Sequence, residues 1–355
     1  MSQPAEKVLL AMSGGVDSSV AAYLLRESGY EVTGVFLCLG RSVGIGHDTT
    51  GCCSPADAAD ARRVAEVLGI ELYTLDAARD FARIIDYFAD EYARGRTPNP
   101  CVRCNTLVKL PKLIARADAV GTAYVATGHH ARIVDGGIRR CGDKDQSYAL
   151  FEIPRRHLGR LLLPIGEHCS RGGGKVSVRR IAAELGLPVA EKPDSQEICF
   201  VDGDYADLLR ARRSEALRPG DIIDAAGNIL GTHDGVGRFT VGQRRGLGIA
   251  AAEPLYVTRI DPAAATVTVG PKESVLGSQL SASSANWQID PPPAGSEFDA
   301  IVQIRYNHEG AAGKVRITDE GAFEVSFEKP VAAITPGQAA VIYDRDRLLG
   351  GGWID

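Results

Sequence analysis

Two stretches of the chain have residue types and spacings that can do chemistry. One is TPNPCVRCN, which sets Cys101 and Cys104 three positions apart; the other is Ser13-Gly14-Gly15-Val16-Asp17-Ser18-Ser19. Two thiols at that spacing can clasp zinc, cycle as a disulfide, hold part of an iron–sulfur cluster, or present one nucleophile beside a bystander. In the second stretch the glycines let the backbone approach an anion, a helix start points N–H groups at it, and three hydroxyls add donors. Asp17 would repel phosphate unless it holds a cation, so Mg²⁺ is its natural companion. No lysine follows the glycines as in a Walker A loop, and the G-x-G-x-x-G spacing of dinucleotide binders is missing.

The elements that must position these groups follow from hydrophobic period. KVLLAM reads as a strand running into the glycine loop, and VDSSVAAYLLRESG as a helix that stops at Gly29. EVTGVFLCL, IELYTLDA and AYVATGHH read as further strands, with PADAADARRVAEVLG, FARIIDYFADEYARG and LVKLPKLIARADAVG as helices. Pro111 is expected to kink the last of these or to begin its straight part. Alternation of this kind predicts an α/β domain with a parallel sheet, over 1–205, whose ligands bind beyond the carboxyl ends of the strands. RGGGK at 171–175 reads as a flexible loop.

Beyond about residue 205, short alternating runs such as GRFTVGQ, PLYVTRI, ATVTVG, GKVRITD, FEVSFEK and QAAVIYD replace the helices. They predict two small all-β domains, at 206–281 and 282–355, joined near SASSANWQIDPPPAGSE.

The composition of the 355 residues, 45% hydrophobic and 24% charged, is that of a soluble protein, and no apolar run nears the roughly 18 residues of a membrane span. MSQPAEK lacks the basic and apolar parts of a signal peptide, and eight cysteines in so long a chain argue for working thiols in a reducing compartment; a cytoplasmic protein is expected. The net charge of −5 argues against coating nucleic acid by bulk electrostatics. Arginine runs at 155–160, 179–180, 210–218 and 244–245 would count as a basic surface only if they shared one face.

The glycine–serine stretch resembles the SGGxDS loop of the ATP pyrophosphatase superfamily, which splits ATP between the α and β phosphates and transfers AMP to an acceptor oxygen. TPNPCVRCN, ATGHHAR, KDQSYAL, PDSQEICFV and FTVGQRRGLG, in that order, further resemble the tRNA-specific 2-thiouridylase family, from Val8 to about Trp353. The resemblance implies that Ala11, Met12, Ser13, Gly14, Gly15, Val16, Asp17, Ser18, Leu37 and Gly128 contact ATP. It implies tRNA contacts at His129, Lys144, Asp145, Gln146, Arg305, Tyr306 and Gln338, and gives His130 no role. The implied partners are a tRNA anticodon loop and a persulfide or sulfide donor protein.

A uracil carbonyl oxygen is a poor leaving group, so ATP must first turn it into an O-adenylate, and sulfur must then arrive as a nucleophile. Family correspondence makes Cys199 the persulfide carrier and Cys104 its partner thiol, the two forming a transient disulfide. Arg103 or a helix start beside Cys104 is expected to raise its thiolate fraction. Where many relatives carry aspartate this chain has Cys101, which leaves a second route open: Cys101, Cys104 and Cys199 holding a 4Fe-4S cluster that binds hydrosulfide. Cys38, Cys141 and Cys169 read as structural, and Cys52 and Cys53 carry no assigned role.

Overall fold

A computed structural model describes residues 5–40, 54–142, 144–194, 198–201 and 203–355. Cys52 and Cys53 lie outside them. Two compact units result: residues 1–83, 101–202 and 346–348 form one, and 84–100, 203–345 and 349–355 form the other.

The first unit contains β1 (Lys7–Ala11), α1 (Val16–Glu27), β2 (Glu31–Cys38), α2 (Pro55–Leu68) and β3 (Glu71–Asp76). Next, α3 (Ala78–Ala93) and α4 (Pro100–Cys104) run across the division, followed by α5 (Leu110–Ala119), β4 (Tyr124–Ala126), the β5 (Arg132–Val134) and β6 (Gly137–Arg139) hairpin, β7 (Leu161–Leu162), α6 (Pro164–His168) and α7 (Gly174–Glu184). Five strands make a wholly parallel sheet in the order β3-β2-β1-β4-β7. Because β2 lies on one side of β1 and β4 on the other, the loops after β1 and β4 diverge and leave a crevice between them. Val8, Leu10, Val20, Ala21, Ala61 and Val64 are fully buried where α1 and α2 cover the sheet. Small residues on α1 allow that close approach. At the start of α2, Ser54 Oγ accepts from Asp57 N at 3.1 Å and Asp57 Oδ2 accepts from Ser54 N at 3.0 Å, a reciprocal cap with Pro55 in the first turn.

Two local expectations are corrected. RGGGK is a short kink between two helices: Arg171 and Gly172 have non-helical backbone, Gly172 at a left-handed φ of 92°, and α7 follows at once. The helix expected from Leu107 begins earlier, at Pro100, and passes through a wide π turn at Asn105–Lys109. Pro111 therefore sits in the first turn of α5, where its missing N–H costs no bond.

The second unit adds α8 (Ala206–Arg212) and a four-stranded sheet of β8 (Gly220–Ile223), β9 (Ile229–His233), β10 (Tyr256–Asp261) and β11 (Thr266–Gly270), in the order β10-β11-β8-β9. GRFTVGQ, expected as a strand, is a short 3₁₀ turn at Val236–Arg238 followed by irregular chain. The rest is β12 (Leu276–Trp287), β13 (Glu297–Gln303), β14 (Ala311–Asp319), β15 (Ala322–Ala332), β16 (Ala339–Asp344) and β17 (Arg347–Ile354). These run in the order β12-β15-β14-β13-β16-β17, and β12 pairs antiparallel with β17 to close a barrel. Alternation along β14 sends Val315 and Ile317 inward against Phe323, Val325 and Ile342, and Lys314 and Arg316 outward.

The stretch leading to the cysteine pair is tied to this unit. Thr97 N donates to Pro336 O at 2.8 Å, Gln338 Nε2 donates to the carbonyls of Thr97 and Pro98 at 3.1 Å each, and Arg96 Nη2 donates to Ile354 O at 2.9 Å. Gly337 permits the contact: its φ is +88°, and an added Cβ would lie 2.9 Å from Thr97 O. Gly337→Ala should lower stability by about 1–3 kcal/mol, read as a fall in Tm. An unchanged Tm would refute the pinning of residues 96–98.

No helix among the described residues is long and apolar enough to cross a membrane.

Candidate active site

A cavity of about 260 Å³ opens at the crevice between the loops after β1 and β4. One wall is apolar, from Met12, Val35, Leu37 and Leu39. The other is polar, from Ser13, Asp17, Ser18, Lys109, Thr127, His129 and Gln146, with Ala11 and Gly128 between them. An apolar slot beside a hydroxyl-rich loop suits a flat base attached to a phosphate chain.

The loop is shaped by its own hydroxyls. Ser18 Oγ accepts from Ser13 N at 3.1 Å and donates to Gly15 O at 3.1 Å, while Ser19 Oγ donates to Gly15 O at 2.8 Å. Gly14, at φ +73°, passes so close to α2 that a Cβ would lie 2.2 Å from Asp57 O. Lys192 then clamps the same place: Nζ donates to Gly14 O at 2.9 Å and to Asp57 Oδ1 and Asp60 Oδ2 at 2.6 Å each. Of the ATP contacts expected from sequence, Ala11, Met12, Ser13, Asp17, Ser18, Leu37 and Gly128 line the cavity. Gly14, Gly15 and Val16 form the turn behind it.

Charge is concentrated at Asp17. Burial works against its ionised form, yet His130, Lys144 and Lys175 outweigh that and hold its carboxyl below the usual range. His130, fully buried, brings Nε2 to 3.2 Å from Asp17 Oδ1 without hydrogen-bond geometry. That buried oxygen therefore retains the capacity to ligate a cation. His130, given no role from sequence, is thus the nearest neighbour of the aspartate; the doubled histidine of TGHH was the only signal for it. Half-buried His129 shares its Nδ1 with Thr127 Oγ1 at 2.8 Å, and desolvation, helped by Lys109, pushes its pKa to about 3. It stays neutral at any working pH.

Burial likewise lowers the pKa of His157, His168, His233 and His308. A histidine whose folded pKa is depressed takes up its proton in the unfolded chain first, so stability is retained above the unfolded value of about 6.5 and falls as pH drops below it. Urea denaturation at pH 7.5 and 5.5 should show a lower midpoint at 5.5; equal midpoints would contradict the burial of these rings.

The cysteines differ in setting. Cys101 is exposed, Cys104 buried and Cys199 between the two, and all three stand as thiols. Cys104 ends α4, with helical backbone continuing on both sides, and Arg103 forms an ion pair with Glu152. Cys104 thus stands within continuous helical backbone rather than at the start of α5, and Arg103 beside it is shared with Glu152. Cys199 precedes Phe200, which packs edge-on against Phe81 at 5.6 Å. Among the described residues no three His, Cys, Asp or Glu side chains are grouped to hold a metal. The Cys141 thiol is pushed up to about 12 by burial and Asp145, as a structural cysteine should be.

The residues expected to meet tRNA fall into two groups. Gln146 lines the cavity and is bonded twice to His130, N to O at 2.7 Å and Oε1 from N at 2.9 Å. Asp145 accepts from Ser147 Oγ at 2.6 Å and shapes the turn from which Lys144 projects. In the second unit, Tyr306 is 44% exposed, Arg305 donates to Ala332 O at 2.9 Å, and the Gln338 amide is engaged by residues 97 and 98. Most of the arginine runs are structural: Arg160 ion-pairs with Asp118, Arg179 with Asp194, Arg212 with Asp86 and Arg213 with Asp90.

A parallel sheet with a glycine–serine loop at its switch point, and an aspartate rather than a lysine in that loop, defines a nucleotide-binding domain of the ATP pyrophosphatase type. Residues 6–203 match a family described as the tRNA methyl transferase HUP domain, 207–271 its PRC-barrel domain, and 277–354 the aminomethyltransferase beta-barrel domain. Over 98% of its length the chain is 46% identical to a tRNA-specific 2-thiouridylase of Chloroflexus aurantiacus, covering 98% of that protein. It is 43% identical, over 98% of itself and 96% of the relative, to one of Rhodopirellula baltica. The chain belongs to the tRNA-specific 2-thiouridylase family. The methyl-transferase wording of the domain descriptions yields to these full-length relatives.

Proposed function

We propose that the chain performs its family's ATP-dependent 2-thiolation of tRNA at the wobble uridine, and that sulfur travels as a persulfide on Cys199. One observation carries the mechanism: the glycine–serine loop, Cys104 and Cys199 belong to one compact unit. The uracil 2-oxygen attacks the α-phosphorus of ATP, and pyrophosphate leaves with the electrons of the broken bond. The terminal sulfur of the Cys199 persulfide adds to C2 and AMP departs. Cys104 thiolate then attacks Cys199 Sγ, which frees the thiocarbonyl and leaves a Cys104–Cys199 disulfide for a two-electron thiol reductant. A donor protein reloads Cys199.

ATP lies with its base in the apolar slot and its phosphates along Ser13 to Ser18. The buried Oδ1 of Asp17 fits Mg²⁺ held by one carboxylate plus phosphate oxygens, and the ion would neutralise developing phosphate charge. A 4Fe-4S cluster held by Cys101, Cys104 and Cys199 is the second route, separated from the persulfide route by iron analysis. The anticodon loop meets His129, Lys144 and Gln146 in the first unit and Arg305 and Tyr306 in the second, with Asp145 and Gln338 supporting the chain from which these contacts are made. Modules at 1–205, 206–281 and 282–355 and a cytoplasmic setting complete the reading.

Mass spectrometry of tRNA incubated with protein, ATP and a sulfur source should show 2-thiouridine at the wobble position with one AMP per sulfur. AMP release without thiolation would redirect the reading to another ATP pyrophosphatase ligase. Iron-containing protein that loses thiolation when stripped of iron would replace the persulfide route by the cluster.

A further inference from the structure

Two adjacent glycines make the phosphate loop pliable, because Gly14 and Gly15 let the peptide between them turn either of its polar ends toward a ligand. A carbonyl turned inward would repel a triphosphate, whereas an N–H turned inward binds it. We propose that Lys192 is a positioning residue for the reaction: it holds the Gly14 carbonyl on the α2 side of the loop, so that the Gly15 N–H of the same peptide faces the phosphates of ATP. The proposal rests on the nucleotide reading of the cavity and deepens it.

The lysine acts through the loop and not on the ligand. An ammonium has three donors, and Lys192 spends them on Gly14 O at 2.9 Å, Asp57 Oδ1 at 2.6 Å and Asp60 Oδ2 at 2.6 Å. Burial opposes its charge, but the bonds to Asp57 and Asp60 outweigh that and raise its pKa, so the ammonium stays charged at neutral pH. Its root is fixed as well: Arg179 Nη2 donates to Lys192 O at 2.8 Å, and Lys192 N donates to Val189 O at 3.1 Å.

The far end of the peptide is left for a ligand. Every described peptide bond is trans, so the Gly15 N–H points opposite to the Gly14 carbonyl and away from Lys192. Among the described residues that N–H has no hydrogen-bond partner. Ser13, Asp17 and Ser18, on either side of it in the chain, line the cavity, and no described residue of α2 does. The alternative role, plain neutralisation of Asp57 and Asp60, needs two of the three donors and leaves the bond to Gly14 O unexplained.

The test is equilibrium dialysis of the full chain with ATP and with adenosine, alongside thermal denaturation. Lys192→Met frees the peptide and should weaken ATP about tenfold, which is about 1.4 kcal/mol and within the worth of one hydrogen bond to a charged group. Adenosine, which has no phosphate, should bind within about twofold of wild type. Asp60→Ala takes one carboxylate from the clamp but keeps the bond to Gly14; it should lower Tm and leave ATP within about twofold. Normal ATP affinity in Lys192→Met overturns the proposal, as does an equal loss for ATP and adenosine, or an equal loss of ATP in Asp60→Ala, either of which marks a merely structural clamp. In wild-type protein isotope-labelled at glycine, the Gly15 amide signal should move on adding ATP and stay in place with adenosine. A Gly15 signal that ignores ATP overturns the proposal without recourse to a variant. Wild-type protein that binds neither ATP nor adenosine overturns the nucleotide reading and the proposal with it.

Discussion

Cys104→Ser and Cys199→Ser should each abolish thiolation, lowering the rate on the order of 10³-fold or more, while ATP binds with wild-type affinity. The two substitutions fail at different steps. Without the Cys199 sulfur no persulfide can be loaded, so tRNA is adenylated and then hydrolysed without gaining sulfur. Without Cys104 the persulfide loads and adds to C2, but nothing cleaves its inner S–S bond, because a serine hydroxyl is a far poorer nucleophile toward sulfur than a thiolate. The Cys104→Ser protein should therefore accumulate tRNA joined to Cys199 through a disulfide, visible on a non-reducing gel and released by reductant. Near-wild-type turnover in either variant would refute the persulfide route. Cys101→Ala, at an exposed position one turn away, should keep at least about half of the activity; its complete loss would instead bring Cys101 into the chemistry.

Gly128→Ala should cost on the order of 100-fold in ATP affinity and in AMP release, the usual penalty for displacing a site by about 1 Å. A Cβ at this position would lie 2.7 Å from Ser18 N and 2.9 Å from the Asp17 carbonyl carbon. Those are backbone atoms of the first turn of α1, which cannot rotate away as a side chain could. Either α1 moves off β4, opening the phosphate loop, or the loop after β4 moves and takes His129 with it. The fold itself should survive, since the clash is confined to the loop end of the sheet and the first turn of α1. Equilibrium dialysis with ATP, with circular dichroism as the control, makes the measurement. An alanine variant that binds ATP normally would show that the two loops can part without harm.

How far the sequence was legible divides along physical lines. Strand–helix alternation, glycine stops and the SGGVDSS signature are local, so the parallel sheet, the nucleotide loop and its place at the sheet's edge could be read directly. The barrels were legible from period-two alternation, except where GRFTVGQ alternates without pairing. What escaped were contacts between residues far apart in sequence. Lys109 reads as a solvated helix lysine until a π turn, invisible to a 3.6-residue period, brings it to the cavity. Lys175 sits in a run whose three glycines suggest a loop, and only the folded helix start sets it against Asp194. Gln338, expected at RNA by family correspondence, meets the carbonyls of Thr97 and Pro98, a pairing across 241 and 240 positions that no local pattern encodes.

The hairpin of β5 and β6 carries a consequence for how the protein is made. Arg132 Nη2 and Arg139 Nη1 both hold Asp346, at 2.7 and 2.9 Å, and Arg347 pairs with Arg139, although 214 and 207 positions separate the arginines from that aspartate. The nucleotide-binding unit is therefore unfinished when its own last helix leaves the ribosome. At about 5–20 residues per second, the two guanidiniums wait roughly 10–40 s for their counter-charge, during which almost the whole of the second unit is synthesised. A chain truncated before residue 346 lacks the carboxylate that both arginines share, leaving Arg139 only its more distant contact with Asp135 at 3.8 Å.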